Sequence, residues 1–164
     1  MTIFAHVITV SDRSARGERD DTSGQIALEA LTAAGYETRV EIVPDGAGEV
    51  ESALRTALAA GAQLVVTNGG TGLSPRDRTP EGTGPVLDRE VPGLAELLRA
   101  EGARHTPFAA ISRGLAGIVD PGPQGPGALV VNLPGSPKGV RQGLDVLLPL
   151  AEHVLDQIAG RDHT

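Results

Sequence analysis

A chain of 164 residues with a 40% hydrophobic share is long enough to bury a substantial core, and its length suits one domain spanning 1–164. A formal net charge of −7, with two Phe, one Tyr and no Trp, argues against nucleic acid as a partner, because that role asks for a basic groove and stacking rings. The absence of cysteine excludes disulfides, thiolate metal sites and thiol nucleophiles. No apolar run approaches the roughly 18 residues of a membrane span, and MTIFAHVITVSD has the form of a first strand, not of a secretory signal. A cytoplasmic protein with no membrane association is the expectation.

In chain order, Ile3–Val10 is a short β-branched run that predicts a buried strand. Thr22-x-x-Gln25 has capping-box form, and Ile26, Ala30, Leu31 and Ala34 follow at helical spacing up to Gly35. Glu37–Val43 alternates as a strand. Val50, Ala53, Leu54, Ala57 and Leu58 form a helical stripe closed by Gly61, and Gln63–Thr67 is the third strand. This βαβαβ order predicts a mostly parallel sheet with right-handed crossovers.

Thr79-Pro80-Glu81 offers a capping hydroxyl, a proline and an acid, so a short helix is expected there. Pro92–Glu101 predicts a second short helix. Phe108–Ile111 has no clear assignment. Gly117–Asp120 and Ala128–Leu133 flank PGPQGPG, which predicts a hairpin and one antiparallel pair. Ser136-Pro137 opens a last helix with the stripe Val140, Leu144, Leu147, Ala151, Val154 and Ile158; Pro149 within it predicts a kink or break near Leu148. The four histidines lack metal-ligand spacing: His6 reads as packing, His153 and His163 as solvated.

In an open parallel sheet, ligands bind at the carboxyl ends of the strands. The segments there are Ser11-Asp12, Pro44-Asp45-Gly46, the loop TNGGTGLSPRDRTPE from Thr67 to Glu81, and Leu133-Pro134-Gly135-Ser136. Gly69-Gly70-Thr71-Gly72 reads either as a tight turn or as backbone N–H groups approaching a phosphate. Helix N-termini at Thr79 and Ser136 favour anions. Asp77, between Arg76 and Arg78, is either a solvated ion pair or a carboxylate facing a ligand's metal ion. Asp45 is either a helix cap or its companion in holding Mg²⁺ with a nucleotide. Ser112-Arg113 is either ordinary surface or part of the site. No G-x-x-x-x-G-K-[ST] occurs, and GAGEVE lacks the third glycine of a dinucleotide fingerprint, so neither a P-loop nor a Rossmann site is expected.

The segments TVSDRSARGERDDTSG, IVPDG, TNGGTGLSPRDRTPEGT, PGLAELLR, AISRGLAG and NLPGSPKGVRQGL resemble, in order and over nearly the whole chain, the MogA/MoaB family of molybdenum-cofactor biosynthesis, which includes the gephyrin G domain. The resemblance implies a three-layer α/β/α sandwich on a mixed sheet, usually a homotrimer. It implies adenylylation of molybdopterin by MgATP with release of pyrophosphate, and transient contact with other proteins of that pathway. The family's two critical aspartates match Asp45 and Asp77. Its pterin- and nucleotide-binding loops match Gly69, Gly70, Thr71 and Gly72, Ser112 and Arg113, and Gly135, Ser136 and Pro137; Ser11 and Asp12 match its first strand-end loop, and Thr79, Pro80 and Glu81 close the central motif. A non-catalytic molybdopterin-binding or assembly protein of the same fold is the alternative. Retention of both aspartates favours the enzyme.

Overall fold

The β-branched runs and helical stripes build one mixed sheet, seen in a computed structural model that describes residues 2–161. Strands β1 (Phe4–Val10), β2 (Glu37–Val43), β3 (Leu64–Asn68), β4 (Arg89–Glu90), β5 (Ala116–Val119) and β6 (Ala128–Leu133) lie in the order β2-β1-β3-β6-β5-β4. β2, β1, β3 and β6 run parallel, whereas β5 is antiparallel to β6 and β4 to β5. The PGPQGPG reversal therefore forms the expected hairpin. The two-residue edge strand β4 is too short to leave a periodic signal.

Alternation along the strands sorts side chains into two cores. Val7, Leu64, Val66, Leu129 and Val131 pack with Ala27 and Leu31 of α2 (Thr22–Ala33), Leu94 of α5 (Pro92–Ala103), and Val140, Leu144, Leu147 and Ala151 of α6 (Pro137–Ile158). Ile8, Val10, Val65 and Val130 pack with Val50, Ala53, Leu54 and Ala57 of α3 (Ala47–Ala59) on the other face. The result is the expected three-layer α/β/α sandwich. Because α2 and α3 cover opposite faces, the chain reverses direction across the sheet between β1 and β3, and polar strand ends converge there. A four-residue helix α1 (Asp12–Ala15) leaves β1, and α4 (Thr79–Thr83) follows the glycine loop.

Three local expectations need correction. The cap of α2 is Asp21, whose carboxylate accepts from Gly24 N, so the capping residue lies one position before Thr22. Strand β3 runs to Asn68, not Thr67, because Asn68 pairs in register with Thr9 and Leu133. Of the expected kink or break, the break does not occur: α6 continues through Pro149, whose ring lies on the exposed face while Leu147 and Ala151 are fully buried on either side of it. Two buried anchors outweigh one missing backbone hydrogen bond. Pro149→Ala restores that donor and is expected to raise stability by about 1–2 kcal/mol, read as an increased Tm. Phe108–Ile111, unassigned from sequence, falls in a 3₁₀ turn over Pro107–Ile111. His6 packs edge-on to Phe4 and contacts Glu41 at 3.1 Å, His153 is exposed, and His163 lies outside the described residues.

Candidate active site

At the carboxyl end of β1, the Ser11 hydroxyl caps α1 by accepting from Ser14 N. Asp12 and Asp45 then hold one another through main chain. Asp12 N donates to Asp45 Oδ2 at 3.0 Å, and Asp45 N donates to Asp12 Oδ1 at 3.1 Å. Arg76 locks this pair, donating to both oxygens of Asp12 and to the Asp45 carbonyl, each at 3.0 Å. The Arg76 guanidinium holds the Asp12 carboxyl below its usual range. Burial pushes Asp45 up, and repulsion from Asp12 and Asp77 adds to the rise.

The glycine loop after β3 needs its glycines. Gly69 and Gly70 have φ of +101° and +68°. A methyl on Gly69 would lie 2.3 Å from the Val10 carbonyl oxygen, and one on Gly70 would lie 2.2 Å from Thr79 Oγ1 and 3.4 Å from Asp45 Oδ1. Gly72 stands in the same relation to Asp77, with 2.8 Å to Oδ2. Both candidate carboxylates therefore lie against one loop.

Thr79 does not cap α4, contrary to expectation: Arg78 occupies that position without a side-chain cap, while Thr79 Oγ1 donates to Gly69 O at 2.8 Å and Thr79 N to Gly70 O. Pro80 is buried. Glu81 receives two hydrogen bonds from Arg113, which hold its carboxyl below the usual range. Arg113 also donates to Gly72 O at 2.9 Å and Asp77 O at 2.8 Å. Thr79 and Arg113 thus build the loop from behind, bonded to its carbonyls, and Glu81 holds Arg113 in place.

Asn132, on the apolar strand β6, was not singled out in sequence, yet it ties the sheet to the loop. Its Nδ2 donates to Thr67 Oγ1 at 2.9 Å and Thr83 Oγ1 at 3.0 Å, and its Oδ1 accepts from Leu115 N. Thr83 in turn donates to Thr79 O at 2.8 Å. A lone amide in the buried run ALVVNL was the signal available. Asn68 plays a similar part toward Thr9, which donates to the α2 cap Asp21. Thr83→Val keeps the shape of a fully buried side chain but removes this relay; a loss of about 1–2 kcal/mol in chemical denaturation is expected.

Beside the loop, a cavity of about 600 Å³ opens between α5, the 3₁₀ turn and the start of α6. Thr71, Gly72, Ser112 and Ser136 line it, as does Lys138, the only lysine in the sequence. Ser136 caps α6 through Gly139 N at 3.0 Å, Pro137 is the first helical residue, and Gly135 lies close enough to Gly69 that an added methyl would stand 3.2 Å from its Cα, while the Gly135 carbonyl accepts from Ser23 Oγ. The candidates therefore form two adjoining groups, carboxylates on one stretch of the loop and the cavity on the next.

An open, mostly parallel sheet with a glycine loop, paired carboxylates and a roomy cleft at its carboxyl edge is the arrangement of an α/β protein with a candidate small-molecule site. The chain belongs to the MogA/MoaB-type family whose model, described as "Probable molybdopterin binding domain", matches residues 6–153. It is 40% identical over 152 residues to a molybdopterin adenylyltransferase of Pyrococcus furiosus, covering 91% of this chain and 87% of that one. It is 38% identical over 162 residues to a molybdenum cofactor biosynthesis bifunctional protein of Synechococcus elongatus, covering 98% of this chain but 49%, about half, of that relative. The crystal structure of the molybdopterin biosynthesis enzyme MoaB from Thermus thermophilus matches with a TM-score of 0.86 at 46% identity, over 99% of this chain and 100% of that one.

Proposed function

We propose that the protein is a molybdopterin adenylyltransferase of molybdenum-cofactor biosynthesis, acting in the cytoplasm as a homotrimer and in transient contact with other proteins of that pathway. The observation that supports this most is the pairing of Asp45 and Asp77 against Gly70 and Gly72 of one loop, beside a cavity large enough for a substrate. In the reaction, a terminal phosphate oxygen of molybdopterin bonds to the α-phosphorus of ATP. The bond from that phosphorus to the β-phosphate oxygen breaks, and pyrophosphate leaves with the electron pair. Such a step asks for positioning and charge neutralisation more than covalent help.

Asp45 and Asp77 are the residues that would hold Mg²⁺, which supplies neutralisation of phosphate charge when bound. Among the described residues no group of three or more His, Asp or Glu converges as a cage. That fits Mg²⁺, which is commonly held by one or two carboxylates together with substrate phosphates. Burial and the charges of Asp12 and Asp77 already disfavour the Asp45 carboxylate, and a cation relieves that cost. Gly70, Thr71 and Gly72 offer backbone N–H groups to phosphate, while the Gly69 N–H is spent on Leu133 O and holds the loop to β6. Ser11 and Asp12 stand at the same strand edge as the carboxylates, Ser112 and Ser136 line the cleft, and Gly135 and Pro137 flank Ser136 in the chain. Arg113 acts by holding the loop.

Incubation of the purified protein with molybdopterin, ATP and Mg²⁺, followed by mass spectrometry, is expected to yield adenylylated pterin in a protein- and metal-dependent way. Retention of pterin without that product would favour the non-catalytic binding or assembly reading.

A further inference from the structure

We propose that Phe108 is a stacking platform for the flat ring of a phosphorylated nitrogen heterocycle, and thereby sets specificity in the cavity between α5 and α6. The proposal rests on the adenylyltransferase reading for the identity of its two candidate rings, pterin and adenine.

Phe108 is 76% exposed and Ile111 53% exposed, and both lie on the wall of the 600 Å³ cavity, with Leu98 on the same wall. The segment that carries them is firmly seated. Phe108 N donates to Thr106 Oγ1 at 3.3 Å, and Ser112 N donates to Ala109 O at 3.2 Å. Arg99 donates to Ser112 O at 3.4 Å and to Gly114 O at 3.0 Å. Ala109 rests directly on Gly102 of α5, where an added methyl would come within 2.8 Å of it. An aromatic side chain carried on a main chain seated in this way and left open to water offers a flat face to the ligand that covers it.

The charge of the wall identifies the rest of the ligand. Among the described residues no Asp or Glu lines this cavity, whereas Arg99 and Lys138 do. Lys138 has no carboxylate partner among the described residues, and a lysine is a mobile point charge suited to phosphate. An aromatic wall together with a cationic, hydroxyl-bearing wall matches a ligand with a flat ring at one end and a phosphate at the other.

The chain has no tryptophan, so Phe108→Trp places a single indole reporter at the site. Titration of this variant with ATP and, separately, with 6-hydroxymethylpterin phosphate is expected to quench its emission with one of the two, which assigns the ring. Phe108→Ala is expected to raise KM for the corresponding substrate about tenfold, within the range that aromatic stacking gives, with kcat nearly unchanged; Phe108→Tyr restores it. Emission indifferent to both ligands, or an unchanged KM in Phe108→Ala, overturns the proposal. Emission that shifts on dilution of the protein and not with ligand also overturns it, because a second copy then covers the ring. Quenching without adenylylated product leaves the stacking site standing and removes the adenylyltransferase reading; product without quenching does the reverse.

Discussion

Asp45→Asn is expected to lower adenylylation turnover about 10²- to 10⁴-fold, the scale on which loss of one electrostatic or proton-handling group acts, while leaving the protein at least as stable as before. The stability half follows from the sign of the Asp45 shift. Burial, then repulsion from Asp12 and Asp77, raises its folded-state pKa above the ordinary 3.8. The folded protein then holds this proton more tightly than the unfolded chain. Stability falls as pH rises from that ordinary value through the folded one, and the full cost is present at neutral pH. Asparagine removes the charge yet keeps an oxygen to accept from Asp12 N. After discounting for solvent screening, a gain below about 1 kcal/mol remains, or about 1–3 °C in Tm.

Asp77→Asn is the companion. Its carboxylate accepts from Ser74 N at 3.2 Å, a bond that the amide oxygen also makes. Turnover is expected to fall as far, with pterin binding by equilibrium dialysis largely retained. Loss of binding and of Tm together in either variant would reduce that aspartate to a structural role.

The layers of this fold were legible because their signals are local. The βαβαβ opening, the stripe of α3, the hairpin around PGPQGPG and the stripe of α6 each follow from periodicity or turn chemistry within a few residues. The four polar strand ends also converge as the parallel topology requires. What sequence did not reveal is how atoms are spent. Thr79 reads as a cap, yet its hydroxyl bonds back to Gly69, ten residues earlier. Arg113 reads as either ordinary surface or part of the site, yet its donors go to Gly72, Asp77 and Glu81. Asn132 reads as one polar residue in a strand, yet it joins Thr67, Thr83 and Leu115. Arg76 reads as half of a flanking charge pair, yet it fixes Asp12 and the Asp45 carbonyl together. Each of these depends on a partner far along the chain, and single-sequence spacing contains no record of it. Pro149 shows the converse: a local rule predicted a kink or break, and with buried neighbours on both sides the helix runs on unbroken.

Gly69→Ala is expected to cost about 3–5 kcal/mol and to abolish turnover even at temperatures where the variant stays folded. Two costs combine. The residue must keep a φ of +101°, which an alanine adopts only under strain, and its new methyl must share space with the Val10 carbonyl oxygen at 2.3 Å. That oxygen belongs to the last residue of β1, between β2 and β3, so it cannot swing aside as a side chain would. Gly61→Ala separates the costs, because Gly61 has a similar φ of +92° with nothing within 4 Å of the added methyl. It should lose only the conformational part, about 1–2 kcal/mol, with turnover intact. For a chain of this size the difference appears as roughly 5–10 °C between the two Tm values. Function fails in the Gly69 variant because its N–H bonds Leu133 O at 3.2 Å and its carbonyl accepts from Thr79. Any shift that relieves the clash moves the loop away from both β6 and α4, and with it the backbone facing Asp45. Equal losses in the two variants would mean that the Val10 carbonyl yields, and that the close approach of β1 to the loop does not hold the site.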